Sequence, residues 1–467
     1  MTANSTQQPD PKKYVLVISH DVVGSHMAGP GIRYYNLALV LSRDFEVVLA
    51  VPCEPDPDFF ADNLRLVKYY RSNWHSIEHF VNGANVILIN GILAGEFPQL
   101  AEFDIPLVID GYNPILPEWL TATQTMPKDQ VVNWGTLMQQ LTHQYLIGDF
   151  YLCASERQRD WRLGLLEANG RINPWNLRED PSLRSLIDVV PFGIPETQPR
   201  HTQNVIRGVW SGISQTDRIL LWGGGLWPWL DPLTAVRALG SIWQTRQDVR
   251  LIFPGTMHPN PSMAQMPTHL EATRREADKL GLLNKAIFFG GWIAYKDWPN
   301  VLIESDIALA LHYEDLLETR LAFRTRVLDY TWAGLPMVAT RGDATSEIII
   351  NYSLGELVST GDVEGVTEAI LRILDSPRQE YQQRFEKARK SLTWTQVARP
   401  LLAFCKKPRL AADKSVQGNE VGNPYYIFEN KRLTEENAQL RHLVQAYENR
   451  RSVRLLNRLH HLLYRRD

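Results

Sequence analysis

Residues 318–336 read Glu318-Thr319-Arg320-Leu321-Ala322-Phe323-Arg324-Thr325-Arg326-Val327-Leu328-Asp329-Tyr330-Thr331-Trp332-Ala333-Gly334-Leu335-Pro336. Before them lies the segment 301–314, which we interpret as a strand ending in the polar residues His312-Tyr313-Glu314. After them comes a short apolar strand, 337–340. Short apolar runs that alternate with helical periods are typical of a parallel sheet covered by helices. This part of the chain therefore predicts an α/β domain.

The same run resembles the nucleotide-sugar domain of the retaining, two-Rossmann-domain (GT-B) glycosyltransferases of family 4. The hallmark of that family is a spaced acidic pair before an Ala-Gly-x-Pro turn, and the turn here is Ala333-Gly334-Leu335-Pro336. The resemblance implies a sugar-transfer enzyme in which two Rossmann-like domains face a central cleft.

The totals of the chain fit two globular domains and exclude several other classes. A length of 467 residues is too great for one ordinary core. A net charge of -3 gives no global reason to expect nucleic acid as a partner. Cys53, Cys153 and Cys405 lie far apart, which indicates neither a zinc site nor a disulfide framework and fits reduced cytosol. We expect no signal peptide and no membrane span, and hence a cytoplasmic protein.

Strand and helix patterns recur twice along the chain, which predicts two doubly wound domains with helices on both faces of each sheet. The resemblance also implies a helix that crosses back to the first domain. The predicted units are an acceptor-side domain at 1–198, a linker at 199–215, a nucleotide-sugar domain at 216–390, the crossing helix at 391–405 and an amphipathic helix at 425–464.

The C-terminal helix combines a short heptad pattern with a basic end. Leu433, Leu440 and Tyr447 are spaced by seven residues, which leaves packing against the body and homo-oligomerisation both open. The arginines between 450 and 466 alternate with apolar residues. We read this tail as a solvated face or as a peripheral contact with the inner face of a membrane.

A triple glycine marks the predicted phosphate site. Gly223, Gly224 and Gly225 follow a strand and precede a helix that Asp231-Pro232 can open. Glycines there would let backbone N–H groups approach a phosphate, with an ordinary tight turn as the alternative.

Family members commonly place an Arg and a Lys in this loop to neutralise the donor diphosphate, but this chain has Gly225 and Leu230 in those places. Stabilisation of charge on a leaving diphosphate is a large contribution to catalysis. We therefore predict that Arg33, Arg324 or Arg326 supplies the missing cation, the alternative being a weak or inactive enzyme.

The acidic pair is also altered. Asp329 takes the place of the second family Glu, which accepts hydrogen bonds from the ribose, although a helical ion pair with Arg326 is the alternative interpretation. Leu321 stands in the place of the first family Glu. Glu318 is the nearest acid that could contact the donor sugar instead, with Glu314 as second choice.

The first domain offers further candidates. Gly29, Gly31 and Arg33 lie in the loop that corresponds to the family's glycine loop, which faces the donor phosphate. Tyr112 stands where relatives have a His that contacts the donor sugar, so we predict a catalytic role for it.

Two other features complete the site prediction. Trp292 occupies the stretch that holds the base in relatives, and it is equally well interpreted as a core residue. Asp56-Pro57-Asp58 spells a metal motif of another glycosyltransferase fold, and we assign it no metal.

Together these features predict a retaining glycosyltransferase that moves a sugar from a nucleoside diphosphate sugar to a hydroxyl acceptor. The resemblance implies no metal or other cofactor, and a glycan or glycolipid acceptor in surface polysaccharide or glycolipid assembly. The alternative is a non-catalytic protein that binds nucleotide sugars or glycans with a degenerate site, and an epimerase on the same fold is a third hypothesis.

Overall fold

The structure is a computed structural model. It describes residues 14–124, 126, 134–256, 258, 266–377, 379–415 and 424–450. In these parts of the chain, no helix is long and apolar enough to cross a membrane.

The first half of the chain forms a sheet of seven parallel strands in the order β3-β2-β1-β4-β5-β6-β7. The strands are rich in Val, Ile and Leu, and the central ones are buried, as expected of a parallel sheet between two helix layers. They are β1 Tyr14–Ile18, β2 Val47–Val51, β3 Leu64–Lys68, β4 Ala84–Asn90, β5 Leu107–Asp110, β6 Phe150–Cys153 and β7 Ile187–Val189.

Helices connect these strands on both faces of the sheet. They are α1 Gly29–Leu41, α2 Glu78–Asn82, α3 Gly91–Glu96, α4 Ile115–Thr123, α5 Trp134–Ile147, α6 Glu156–Ala168 and α7 Pro174–Glu179.

The second half repeats this architecture with six parallel strands in the order β10-β9-β8-β11-β12-β13. The strands are β8 Arg218–Trp222, β9 Val249–Phe253, β10 Ile287–Phe289, β11 Ile307–Ala310, β12 Met337–Thr340 and β13 Gly355–Val358. The helices are α8 Pro232–Ile242, α9 Leu270–Lys279, α10 Trp298–Glu304, α11 Leu317–Leu321, α12 Thr325–Ala333, α13 Ala344–Tyr352, α14 Val363–Asp375 and α15 Gln379–Leu392. The predicted fold class, two Rossmann-like domains, is confirmed.

The chain then returns to the first sheet. Helices α16 Trp394–Val397 and α17 Arg399–Lys406 contribute to the core on one face of the seven-stranded sheet. Phe404 stacks on Phe150 with ring centroids 4.8 Å apart, and Trp394 packs against Phe192. Residues 394–406 therefore pack against the first domain.

Two local expectations need correction. Residues 301–304 end helix α10 rather than begin a strand, and β11 starts only at Ile307. Gly29 and Gly31 lie in the first turn of α1 rather than in a loop. The C-terminal helix, α18, spans Pro424–Glu448. Its sevenfold-spaced apolar residues are exposed, and the basic tail beyond Arg450 lies outside the described residues.

Candidate functional site

The candidate site lies at the carboxyl ends of β8 and β11. These strands are adjacent in the sheet although more than 80 residues separate them along the chain, because the strand order reverses between them. Ligands of open α/β sheets bind in the crevice at such a reversal. The loop Gly223-Gly224-Gly225 follows β8, and His312 follows β11.

The glycine loop has a defined conformation. Gly224 has φ +86°, which favours glycine. The backbone N–H of Gly223 donates to the hydroxyl of Tyr330 at 2.9 Å, and that hydroxyl donates to the carbonyl of Leu309. Asp231 caps helix α8 by accepting from the N–H of Thr234. The loop is thus tied to the sheet through Gly223, which leaves Gly224 and Gly225 as the better candidates for a phosphate.

Arg326 brings a cation to this loop. Its Nη2 donates to the carbonyl of Gly225 at 3.3 Å, and the guanidinium lies 5.4 Å from the ring centroid of Trp222. Its buried Nη1 has no hydrogen-bond partner. Burial lowers the pKa of Arg326, but an arginine stays cationic at neutral pH. No ion pair within 4 Å joins Arg326 and Asp329 in the described chain, although the charge of Asp329 works to raise the pKa of Arg326.

Arg324 is committed to a different partner. Its Nη1 and Nη2 donate to the two carboxylate oxygens of Glu318 at 2.5 and 2.7 Å. Its Nε lies 3.6 Å from Asp343, and all three side chains are buried. Burial works to lower the pKa of Arg324, but Glu318 outweighs it and the pKa is raised. The predictions that Arg324 and Glu318 act on the donor are therefore corrected, because each neutralises the other.

Trp298 links Asp329 to the glycine loop. The indole Nε1 of Trp298 donates to Oδ2 of Asp329 at 3.1 Å, and the same indole borders Gly223. Burial raises the pKa of Asp329 to about 7. Its carboxyl group is therefore poised between protonated and ionised forms at neutral pH, and its predicted role toward a ribose stays a prediction.

Trp292 borders the loop after β9. Its ring packs against Gly255 and lies 5.4 Å from the ring of His258. Its Nε1 is buried without a partner. The two interpretations of Trp292, base contact and core residue, both remain open.

The first-domain candidates have structural roles. Arg33 is fully buried and forms a fork with Asp110 at 2.7 and 2.9 Å. It also donates to the carbonyls of Val190 and Pro191. Tyr112 is 4% exposed, and its ring lies 4.6 Å from the Arg33 guanidinium. Arg33 is therefore wrong as the missing cation, and Tyr112 is a core residue rather than a group facing the donor.

The two glycines of α1 differ from each other. A Cβ on Gly31 would lie 2.0 Å from the carbonyl oxygen of Val22, so this position requires glycine for packing. A Cβ on Gly29 would face Thr325 of the second domain at 3.9 Å. Gly29 thus lies at the junction between the domains, and Gly31 does not.

Direct contacts join the domains beside the site. The side-chain Nε2 of Gln158 donates to the carbonyls of Tyr112 and Leu321, each at 2.8 Å. On the other side, the N–H of Tyr295 donates to the carbonyl of Ser25 at 2.8 Å. The second domain, which holds Arg326 and the glycine loop, therefore contacts the first domain through segments that lie on both sides of the site.

His312 is a residue of the crevice to which the sequence analysis gave no role. It is buried, and its Nε2 lies 3.2 Å from the carbonyl oxygen of Arg341. Burial lowers its pKa to about 3, so the imidazole is neutral. The sequence feature that could have identified His312 is its position at the end of strand β11. The reversal of strand order that makes this position important exists only in the folded sheet. Elsewhere in the described residues, no three His, Cys, Asp or Glu side chains group as metal ligands.

Comparisons with known proteins agree with this geometry. Residues 217–376 match the family model described as "Glycosyl transferases group 1". No curated protein matches the sequence. The matched residues span most of the second domain, so this domain is similar to the glycosyltransferase group 1 domain.

Solved structures extend the likeness to both domains. Sucrose-phosphate synthase from Thermosynechococcus elongatus has a TM-score of 0.57 at 16% identity, over 85% of this chain and 99% of its own. HepE from Anabaena, in complex with UDP and glucose, has a TM-score of 0.60 at 11% identity, over 84% and 99%. WaaG, a glycosyltransferase involved in lipopolysaccharide biosynthesis, has a TM-score of 0.53 at 15% identity, over 86% and 100%. The predicted resemblance to GT-B glycosyltransferases is confirmed at the level of the fold.

Proposed function

We propose that this chain is a retaining glycosyltransferase that moves a sugar from a nucleoside diphosphate sugar to a hydroxyl acceptor. One observation carries the proposal: Arg326, a partly buried arginine with no carboxylate partner among the described residues, lies beside the glycine loop where the strand order reverses, and its Nη1 is buried without an acceptor there. A buried N–H of a cation that lacks an acceptor is costly, and a bound anion would offset that cost. The match to glycosyltransferase group 1 supports a donor diphosphate as the anion.

Each part of the donor has a candidate partner. The backbone of Gly224 and Gly225 and the free Nη1 of Arg326 would hold the diphosphate, and Asp329 would accept hydrogen bonds from the ribose. HepE is described in complex with UDP-glucose, which supports a nucleoside diphosphate sugar here.

The reaction exchanges one C–O bond for another at the anomeric carbon. The bond from this carbon to the diphosphate breaks, and a bond to the acceptor oxygen forms on the same face. The acceptor proton passes to an oxygen of the leaving diphosphate. A fixed positive charge near that diphosphate stabilises the charge that develops on it, and this is the role we propose for Arg326.

A second candidate function is non-catalytic binding of a nucleotide sugar or glycan. It is favoured by the altered acidic pair, since Leu321 stands in the place of the first family Glu and Glu318 is held by Arg324. A protein with this arrangement could keep donor affinity without turnover.

Donor hydrolysis separates the two functions. We expect the purified protein to release a nucleoside diphosphate slowly from a panel of nucleotide sugars without any acceptor. Arg326→Met should lower this rate about 100-fold, the usual effect of removing one donor to developing charge. Donor affinity should fall less. Tight donor binding without any hydrolysis would support the binding protein instead.

We further propose that the reaction needs no metal and takes place in the cytoplasm, with a glycan or glycolipid as acceptor. The similarity to WaaG, a glycosyltransferase involved in lipopolysaccharide biosynthesis, supports an acceptor of this kind. Hydrolysis that persists at full rate with EDTA would agree with metal independence.

Peripheral membrane contact through the basic tail remains part of the proposal. Each basic residue near an anionic surface contributes about 1 kcal/mol. We expect binding to anionic vesicles at low salt that is lost when residues 424–467 are removed, while donor hydrolysis is retained, since this truncation keeps Asp413, the buried partner of Arg171. Self-association through α18 is the alternative use of this region, and a mass measurement in solution would detect it.

A further inference from the structure

A cavity in the first domain is separate from the proposed donor site. It lies at the carboxyl ends of β4 and β5, under helices α4, α5 and α6, and has a volume of about 70 Å³. Its walls are mostly apolar and include Ile115, Leu141, Trp161 and Leu165. Polar side chains also line it, and two of them, Arg162 and Asn169, have a buried polar atom without a hydrogen-bond partner among the described residues. The other polar lining residues are Asp110, Asn113, Thr142, Gln144 and Tyr145. The role of Arg162 and Asn169 in this cavity needs an explanation.

The guanidinium of Arg162 is fixed by neutral groups. Its Nη1 donates to the hydroxyl of Tyr145 at 3.0 Å, and its Nη2 donates to the carbonyls of Gly111 and Asn113. A Cβ on Gly111 would lie 2.3 Å from the Arg162 Cζ, so only glycine admits the guanidinium at this position. Arg162 is therefore held rigidly, with its orientation set by the backbone after β5.

The charge of Arg162 is not balanced within the described chain. Its side chain is 4% exposed, forms no ion pair with the described residues, and has an Nε without a hydrogen-bond partner. Asp110 also lines the cavity, but both of its oxygens accept from Arg33. A buried cation with a free N–H favours an anionic ligand.

Asn169 supplies a complementary acceptor. Its Nδ2 donates to the carbonyl of Leu165, and its buried Oδ1 has no partner. Among the groups that line the cavity, one N–H of a charged side chain and one neutral acceptor oxygen therefore have no hydrogen-bond partner in the described chain. A carboxylate with a neighbouring hydroxyl group satisfies both atoms. A phosphate has three charged oxygens and would leave most of them without donors.

We infer that this cavity binds the carboxylate end of a hydroxy acid or sugar acid through Arg162 and Asn169. The walls contact the carbon atoms of the ligand, and Asn169 accepts from its hydroxyl. Tyr112 follows Gly111 directly, and its carbonyl shares Gln158 with the second domain. The identity of the ligand rests on the proposed function: the bound carboxylate belongs to an acidic acceptor of the transferred sugar.

Matched pairs of small molecules test the inference on the full-length protein without donor. Ligand-observed NMR would compare lactate with propane-1,2-diol and glucuronate with glucose, and inorganic phosphate would serve as a second anion. We expect binding of lactate and glucuronate, and at least tenfold weaker binding of their neutral partners and of phosphate.

Two variants guard against loss of fold. Arg162→Met removes the charge, but it also removes three hydrogen bonds and could therefore unfold the protein. Thr142→Leu reduces the volume of the cavity from a different wall and leaves those hydrogen bonds in place. Both variants should lose at least tenfold in affinity for lactate and keep the affinity of the wild type for a nucleoside diphosphate. Failure of the proposed function would appear separately, as absent nucleotide binding in the wild type.

Three outcomes would overturn the inference. Equal binding of lactate and propane-1,2-diol would show a site without charge recognition. Unchanged lactate affinity in Thr142→Leu and in a folded Arg162→Met would place the binding elsewhere. If neither lactate nor glucuronate binds, the cavity holds only water and the inference is wrong.

Discussion

Each sheet has an arginine near its carboxyl edge, and the two arginines differ in what balances their charge. In the first domain, Arg33 is fully buried and meets both oxygens of Asp110 and two backbone carbonyls. In the second domain, Arg326 meets one carbonyl at 3.3 Å and an aromatic ring, and its Nη1 has no partner. The first cation is balanced within the protein, and the second has no carboxylate partner among the described residues.

This difference separates stability from function among the candidate cations. Removing one partner of a balanced buried pair leaves an uncompensated charge, so the main effect is on folding. Removing an unbalanced cation relieves the folded state of a cost, so the main effect is on ligand binding. The predictions below test this distinction.

The largest effect is expected at Asp110. Asp110→Asn leaves Arg33 buried without a counter-charge and should lower the free energy of unfolding by about 3 kcal/mol or more. Urea unfolding measures this loss. Asp58→Asn, at an exposed aspartate of the same domain, is the control and should change little. A native-like stability of Asp110→Asn would mean that the pair is not needed to balance Arg33.

Glu318 is expected to behave in the same way, to a smaller extent. Glu318→Gln removes the charge that faces Arg324, while Asp343 remains 3.6 Å from the Arg324 Nε. The free energy of unfolding should fall by about 2 kcal/mol, in the range of hydrogen bonds to charged groups. Donor hydrolysis per folded molecule should be nearly unchanged. A large loss of turnover at unchanged stability would restore Glu318 as a catalytic residue.

The raised pKa of Asp329 leads us to predict that donor binding depends on pH. Its pKa is raised to about 7, and ribose hydroxyls donate to the ionised form. Donor affinity should therefore rise about tenfold from pH 6 to pH 8, because ionisation of the free protein is required for binding. A nucleotide sugar is the suitable probe, since its diphosphate diester does not titrate in this range. Asp329→Asn should show weaker binding that is flat with pH, and a persistent slope in this variant would exclude Asp329 as its cause.

The same shift has a consequence for stability. The carboxyl pKa is higher in the folded protein than the usual value of 3.8, so the folded state favours the protonated form. Its contribution to stability is present at low pH and is lost as pH rises from about 4 to about 7.

The smallest effect is expected at Gly224. Gly224→Ala places a side chain at φ +86°, which costs about 1 kcal/mol, and brings its Cβ to 3.5 Å from Arg326 Nη2. Nucleoside diphosphate binding should weaken several-fold. Gly281→Ala provides a matched control, because that glycine has φ +68° but no side-chain or backbone atom within 4 Å of the added Cβ. Equal nucleotide affinity in the two variants would remove Gly224 from the site.

The sequence was sufficient for the fold and for part of the site. Alternating strands and helices predicted both sheets, and the order glycine loop, cap and Pro232 predicted the start of α8. These are local patterns, and they carry over directly into structure. The strand at 301–304 was wrong because an apolar stretch of that length fits a buried helix equally well.

The choice among Arg33, Arg324 and Arg326 could not be made from sequence. Arg33 is balanced by a residue 77 positions away, which only the packing of β5 beside β4 brings into contact. Arg324 and Arg326 are two positions apart and differ only in the direction that each side chain takes from α12. The reversal of strand order that makes His312 a site residue is likewise a property of the assembled sheet.

The most direct test of the central claim is calorimetric titration of Arg326→Met with a nucleoside diphosphate, beside the wild type and Arg320→Met, an exposed arginine on the preceding helix. We predict about tenfold weaker binding for Arg326→Met, the loss of one charge-assisted hydrogen bond, with an unfolding midpoint that is equal to or above that of the wild type. Arg320→Met should match the wild type in both. Unchanged nucleotide affinity in Arg326→Met, or a loss of stability like that expected for Asp110→Asn, would contradict the account.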